Sequence, residues 1–314
     1  MIRKLTWVVA CIAVAQELTV QPPVLGYLHD DGTSAVRAIQ GLPGAAVLAS
    51  SGIEGVQAAF TCGGGGFGVI SRADGNFAFL GSLVGTYSVF AISANDPRLL
   101  TACGDQSAVV LSGDRIYVIR RSAELVVVEP LTINFPVTSI HALDYRETAR
   151  ELYFTAATGD SASGVYLYSV RENTLSRIVA LERPGQIALF QEAVYVVDEA
   201  TMDLWRADLR AGGWAATRFI NSPEGSRIAG IASSLDGQRL FIADSGLNRV
   251  AVYDSSGSIT ETLPIQVPVN ALRRISQQAL LISYERGEPI YLLKDSDPPA
   301  VFFVPSGSRG GSNQ

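Results

Sequence analysis

A chain of 314 residues that is 47% hydrophobic and only 17% charged is long enough to bury a large core and too apolar to remain disordered. Its formal charge of -6 supplies no basic field to hold phosphates, so neither a nucleic acid nor an anionic membrane is favoured as a partner.

The first residues form a segment of their own. Arg3 and Lys4 give a positive start, Leu5 to Val14 an apolar run, and Ala13-Val14-Ala15 a small-x-small site before Gln16. That pattern predicts a secretory signal peptide over 1–15, too short to span a bilayer. Val8-Val9-Ala10-Cys11 also resembles a lipobox, which makes a lipid anchor on Cys11 the alternative to cleavage after Ala15. No later run reaches the length of a membrane helix. The remainder is expected to be one exported domain over 16–305, secreted or periplasmic and monomeric. A Ser/Gly-rich tail over 306–314 follows, with nothing to bury.

From Gln16 onward short apolar runs alternate with Gly, Asp, Asn and Pro. The first unit reads Tyr27-Leu28-His29-Asp30, then AVRAIQG and AAVLAS, with Leu18 to Val20 as a weak fourth strand. The second begins near Val56 and the third near Arg98, with Asn95-Asp96-Pro97 as the turn between them. In the third unit RIYVIRR and ELVVVEP are outer strands, and Pro130 to Pro136 is the link onward. The fourth reads SIHALD, ELYFTA, GVYLYSV and LSRIVAL, and the fifth QIALF, AVYVVDE, DLWRADL and WAATRFI. The sixth, Ile228 to Thr262, is the clearest: an apolar run, LFIAD, VAVYD and ITET. The seventh reads NALRRI, ALLISYE, PIYLLKD and AVFFVP.

One hydrophobic position in the second strand of each unit recurs at Tyr27, Val69, Val110, Tyr153, Tyr195, Phe241 and Leu281, roughly every 42 residues. The segments alternate in twos, which excludes a helical repeat of similar period. Four-stranded sheets too short to close individually bury their faces only by packing radially on one another. The expected fold is therefore an all-β, seven-bladed β-propeller, with six blades as the alternative. The aromatic side chains Tyr153, Tyr166, Tyr168, Tyr195, Trp205, Trp214, Phe241 and Tyr253 are read as packing between blades.

In the sixth unit Gly230-Ile231-Ala232, Asp236-Gly237, Phe241-Ile242-Ala243-Asp244-Ser245 and Asn248-Arg249-Val250 with Tyr253-Asp254 resemble an NHL repeat and the repeats of secreted lactonase-like propellers. Elsewhere only the pattern holds; Asp198 in VVDEATMDLW keeps the acid and the following strand. The resemblance implies a ring that most often serves as an interaction platform and in a minority of cases is an enzyme.

The candidate chemistry is sparse. Asp30, Asp198 and Asp244 each end a second strand, with Asp114 and Glu285 close behind their own, so carboxylates are placed to ring a channel mouth and hold a hard cation such as calcium. The competing explanation is that each Asp caps its own turn. No cofactor is otherwise expected. His29 and His141 are the only histidines and lack paired metal-ligand spacing, and His141 is read as a packed or hydrogen-bonded core residue. Gly63, Gly65 and Gly68 fit G-x-G-x-x-G but precede a strand, where a phosphate cradle needs a helix. Cys62 and Cys103 fall at matching places in neighbouring units, which permits a disulfide between them; two buried free thiols are the alternative. Recognition or scaffolding of an unidentified protein or small molecule is the expected role. The alternative is a metal-dependent lactonase-like hydrolase using Asp198, Asp244 and Asn270.

Overall fold

The structure, a computed structural model, describes residues 22–62, 67–72, 76–80, 92–93, 100–103, 107–112, 115–121, 126–131, 133, 139–157, 163–285 and 288–306. Every regular element among them is a β-strand, and all pairings are between sequence neighbours and antiparallel. Six sheets have four strands each and the first in the chain has three. The chain is an all-β propeller. The seven blades expected from the spacing are not found; the six-blade alternative holds for the complete four-stranded sheets, beside one three-stranded sheet. The weak strand Leu18 to Val20 lies outside the described residues, as do the signal segment, Cys11, Gly63, Gly65, Asp114, and the turn at Asn95-Asp96-Pro97.

The sixth sheet shows how the sequence builds a blade. Its strands are Ile228–Ser233, Leu240–Asp244, Arg249–Tyr253 and Ile259–Pro264. The second strand is buried throughout, because both of its faces meet neighbouring sheets, and the fourth is largely exposed at the rim. Fourth and fifth sheets repeat the plan with inner strands Ser139–Arg146 and Pro184–Phe190. The inner strands of the second, third and seventh sheets are Val56–Cys62, Leu100–Cys103 and Arg273–Arg274. Pro130, expected in a linker, belongs to the outer strand Val126–Leu131, an edge position where its missing N–H costs no ladder bond.

Each junction between sheets has its own apolar core. Tyr27, Val36 and Ala38 of the first sheet meet Val56, Ala59 and Ile70 of the second; Tyr153 and Val165 of the fourth meet Ile187, Val194 and Val196 of the fifth. Leu25 and Leu28 of the first sheet pack with Ile275, Leu281 and Leu292 of the seventh, so the circle closes on itself. Aromatic side chains carry much of this burial. Tyr153, Tyr195, Phe154, Phe190 and Phe241 are fully buried, and Phe154 stacks on Tyr166 with centroids 5.6 Å apart.

Which strand the first sheet lacks follows from its turns. Asp30, at the end of Val24–Asp30, accepts a hydrogen bond from the Tyr284 hydroxyl, and Tyr284 directly follows the second strand Ala279–Ser283 of the seventh sheet. Glu54, the last residue of the first sheet, is one glycine away from Val56, where the inner strand of the second sheet starts. Both facts put the turn after Asp30 on the face of the ring where second strands end. Val24–Asp30 is thus a second strand, and the strand absent among the described residues is the innermost one.

Cys62 and Cys103, the last residues of the inner strands of the second and third sheets, form a disulfide with their Cα atoms 5.5 Å apart. It joins two adjacent strands at the end of the channel away from Asp30.

Candidate functional site

The heads of five of the six described inner strands are irregular in the same way; Leu100–Cys103 pairs without a slip. The pairing register slips between Val56 and Ala58, Ile140 and Ala142, Pro184 and Ile187, and Ile228 and Gly230. In the seventh sheet the amides of Asn270 and Ala271 both donate to the Ile282 carbonyl, the signature of a bulge. An extra residue in one strand has no partner opposite, and its side chain is turned out of the alternating pattern. The residues so displaced are Gln57, His141, Gln186, Ala229 and Asn270, of which the four polar ones are exposed. They stand near the start of the inner strands, at the mouth of the channel on the face that carries Asp30.

His141 is therefore solvent-facing and not part of the core; the bulge turns it out, and its Nε2 lies 3.2 Å from the Ser139 hydroxyl. The Asn270 side chain exchanges bonds with the backbone of Tyr284: its Oδ1 accepts from the Tyr284 amide at 3.3 Å and its Nδ2 donates to the Tyr284 carbonyl at 3.4 Å. The set is amide and imidazole, able to donate to and accept from a polar ligand.

The three singled-out carboxylates share that face but are each already engaged, Asp198 and Asp244 within their own blades and Asp30 also with the seventh sheet. Asp244 is 3% exposed; its Oδ1 accepts from the amides of Arg227, Gly246 and Leu247 and its Oδ2 from the Ser226 hydroxyl. Asp198 accepts from the amides of Arg183 and Ala200. Both therefore bind the turn that follows them and also the residue leading into the inner strand beside them. Asp30 caps its turn through Gly32 and Thr33 and takes its third bond from Tyr284. Burial pushes the Asp30 carboxyl up, but the bonds from Thr33, Gly32 and Tyr284 and the charge of Arg37 outweigh it, leaving it below the ordinary carboxylate value. Across that bond, burial and the Asp30 charge raise the Tyr284 hydroxyl to about 12. Among the described residues no group of three or more His, Cys, Asp or Glu side chains is placed to hold a metal ion. Glu285 is exposed beside Tyr284 and joins no such group.

A cation–ring contact links two inner strands instead. Arg273, on the inner strand of the seventh sheet, lies over the ring of Phe60, on the inner strand of the second, with the guanidinium carbon 5.8 Å from the ring centroid. The neighbouring Arg274 faces the other way and is paired, 2.9 Å from Asp295. His29 holds the next seam: its Nε2 is 2.9 Å from the Val56 carbonyl.

Gln57, Gln186, Arg273 and Phe60 escaped the sequence-based search. A signal for the mouth was present in the recurring apolar-polar-alanine heads Val56-Gln57-Ala58, Ile140-His141-Ala142 and Val269-Asn270-Ala271. Nothing comparable marks Arg273, which sits beside an arginine with a structural role.

No family model matches the chain, and no curated protein matches it. Solved structures do. A putative 6-phosphogluconolactonase from Bacteroides fragilis superposes with a TM-score of 0.60 at 10% identity, covering 90% of this chain and 95% of that one. A catalytically inactive virginiamycin B lyase from Staphylococcus aureus, crystallised with quinupristin, gives 0.56 at 14% identity over 78% and 82%. Regucalcin from Agrobacterium tumefaciens, described as a calcium-binding protein, gives 0.51 at 15% identity over 84% and 87%. Identities this low show a shared β-propeller fold and nothing finer. Among the described residues no helix is long and apolar enough to cross a membrane.

Proposed function

We propose that the protein is an exported recognition propeller that holds a small polar ligand at the mouth of its channel, with the three-stranded first sheet serving as a seventh blade. The observation that supports this most is the bulge in the inner strands of the second, fourth, fifth and seventh sheets, which spends a residue of pairing in each to turn out Gln57, His141, Gln186 and Asn270. Bulges of this kind recur where a side chain must be re-aimed toward a ligand. The carboxylates on the same face are already committed to amides and hydroxyls, and Asn270 to the Tyr284 backbone, so the free hydrogen-bonding capacity lies with Gln57, Gln186 and the His141 imidazole.

A second reading, a metal-dependent lactonase-like hydrolase, draws on the common face of Asp30, Asp198 and Asp244 and on the printed names of two neighbours, the putative lactonase and the calcium-binding regucalcin. One experiment separates the two. A library of small polar metabolites is screened by thermal shift on the wild type and on Gln186→Trp, which fills the mouth, with metal analysis and a lactone and ester hydrolysis assay on the same preparations. The recognition reading expects ligands whose stabilisation is lost in Gln186→Trp and retained in Asp198→Asn, with no hydrolysis. A stoichiometric divalent ion, lost together with lactone hydrolysis in Asp244→Ala, overturns it.

A further inference from the structure

We propose that the outer strand of the seventh sheet is a docking edge for a second copy of the chain, the two strands pairing antiparallel about a two-fold axis through Phe302. A sheet ends at the rim on a strand with one row of N–H and C=O groups unpaired, and such edges are ordinarily blunted by bulges, charges or proline. Four outer strands here carry a bulge. The extra residues are Ser51 and Gly52 in Val47–Glu54, Ile178 in Thr174–Ala180, Phe219 in Gly213–Ile220 and Thr260 in Ile259–Pro264. Each of these strands also holds a charge: Glu54, Arg177, Arg218 or Glu261. Val126–Leu131 pairs without a slip but contains Glu129 and Pro130. Among the described outer strands of more than two residues, Ala300–Val304 alone has none of the three devices; it pairs without a slip to Ile290–Lys294. Among the described residues its backbone bonds to that neighbour and to nothing else.

The strand is complementary to itself. Val301 and Phe303 share one face and are exposed, Phe303 by 56%. With the axis at Phe302, Val301 of each copy lies opposite Phe303 of the other, so a favourable aromatic–β-branched pair forms twice on that face. On the other face Phe302 meets its equivalent, and Val304, buried against the first sheet, meets Ala300, the smallest side chain of the strand. No like charges are set opposite one another, so the chain's charge of -6 stays off the contact. Pro298 and Pro299 precede the strand and Pro305 follows it, which confines the pairing to its five residues. The tail over 307–314 has no β-branched or aromatic residue and is a poor competitor for the edge. Five residues a side, against the about 20–30 of a standard interface, make the dimer weak, with a Kd on the order of 100 µM.

The test is sedimentation velocity of the full chain from about 10 µM to about 1 mM, with hydrogen exchange measured at both ends of that range. Wild type should pass from monomer to dimer, and the outward amides of 300–304 should exchange about four times more slowly at the higher concentration, as mass action at that Kd requires. Val301→Lys and Phe303→Lys put a charge on the edge at exposed positions. Each should raise the Kd about tenfold or more and leave the Tm and the far-UV spectrum of the monomer unchanged. A wild type that stays monomeric to about 1 mM, a dimer indifferent to both substitutions, or one without added protection over 300–304 overturns the proposal. So does a dimer that forms only after removal of 307–314, since the tail would then be the occupant of the edge. None of these outcomes bears on the ligand at the mouth, which the proposal does not use.

Discussion

Removing the Asp244 side chain should destabilise the ring severely without touching any ligand. Four donors converge on this carboxylate: the Ser226 hydroxyl and the amides of Arg227, Gly246 and Leu247, with Arg249 Nε at 3.7 Å. Hydrogen bonds to a charged acceptor contribute about 1.5–3 kcal/mol each, and an orphaned buried donor costs its full desolvation. Gly246 and Leu247 lie on an exposed turn, where water replaces the lost acceptor. Ser226, in the passage from the fifth sheet into the sixth, is buried, and the bond from the neighbouring Arg227 amide is partly buried. Counting only those two, Asp244→Ala should cost about 3–5 kcal/mol, a fall in Tm on the order of 10 °C for a domain of this size. Urea titration at pH 7 and calorimetry, each with calcium and with chelator, measure it. A loss below about 1 kcal/mol would refute the assignment. So would a chelator that lowers the stability of wild type to that of the variant and leaves the variant unchanged, since the carboxylate would then be a metal ligand.

Other outcomes follow from the same contacts. Because folding raises the Tyr284 hydroxyl from 10.0 to about 12, its contribution is complete below pH 10 and is lost as pH rises toward 12; Tyr284→Phe should flatten that part of a pH–stability curve. Asp30 is lowered on folding, so its contribution is present above its ordinary value of 3.8 and fades as pH falls below it; Asp30→Asn should soften the acid limb. The Cys62–Cys103 bridge closes a loop with a sequence separation of 41, which the chain-entropy argument converts to roughly 4 kcal/mol. Reduction, or Cys62→Ser with Cys103→Ser, should lower the urea midpoint accordingly. Gly246→Ala would put a Cβ 1.9 Å from the Gly225 carbonyl oxygen and should cost at least about 2 kcal/mol by the same assay.

The blades from Ser139 onward were legible because period-two burial, tight Asp- or Asn-bearing turns and even spacing all agree there; Leu240–Asp244 and Arg249–Tyr253 fall where LFIAD and VAVYD predict them. The incomplete first sheet was legible only as a weak head, since Leu18 to Val20 is too short to declare a strand. The inner strand of the seventh sheet shrinks to Arg273–Arg274 although NALRRI reads as a full strand, because the bulge at Asn270 breaks the ladder and alternation in sequence carries no sign of an unpaired residue. The same displacement hid the mouth: whether Gln57 or His141 faces a neighbour or the channel depends on one slipped register. Asp198 and Asp244 illustrate the opposite error. Their spacing suggested a shared task, whereas each repeats a local one, tying its turn to the strand alongside. Arg273 was invisible because its meaning lies in Phe60, two sheets away around the circle.

Between consecutive sheets the wheel has a covalent rivet, since the polypeptide itself passes from one into the next. The joint between the last sheet and the first has among the described residues only the packing of Leu25 and Leu28 against Ile275, Leu281 and Leu292 and the Tyr284–Asp30 bond. The disulfide crosses a different joint, between the second and third sheets, and offers this one no protection. Unwinding by heat, denaturant or pulling should therefore start as a crack at that single unriveted joint.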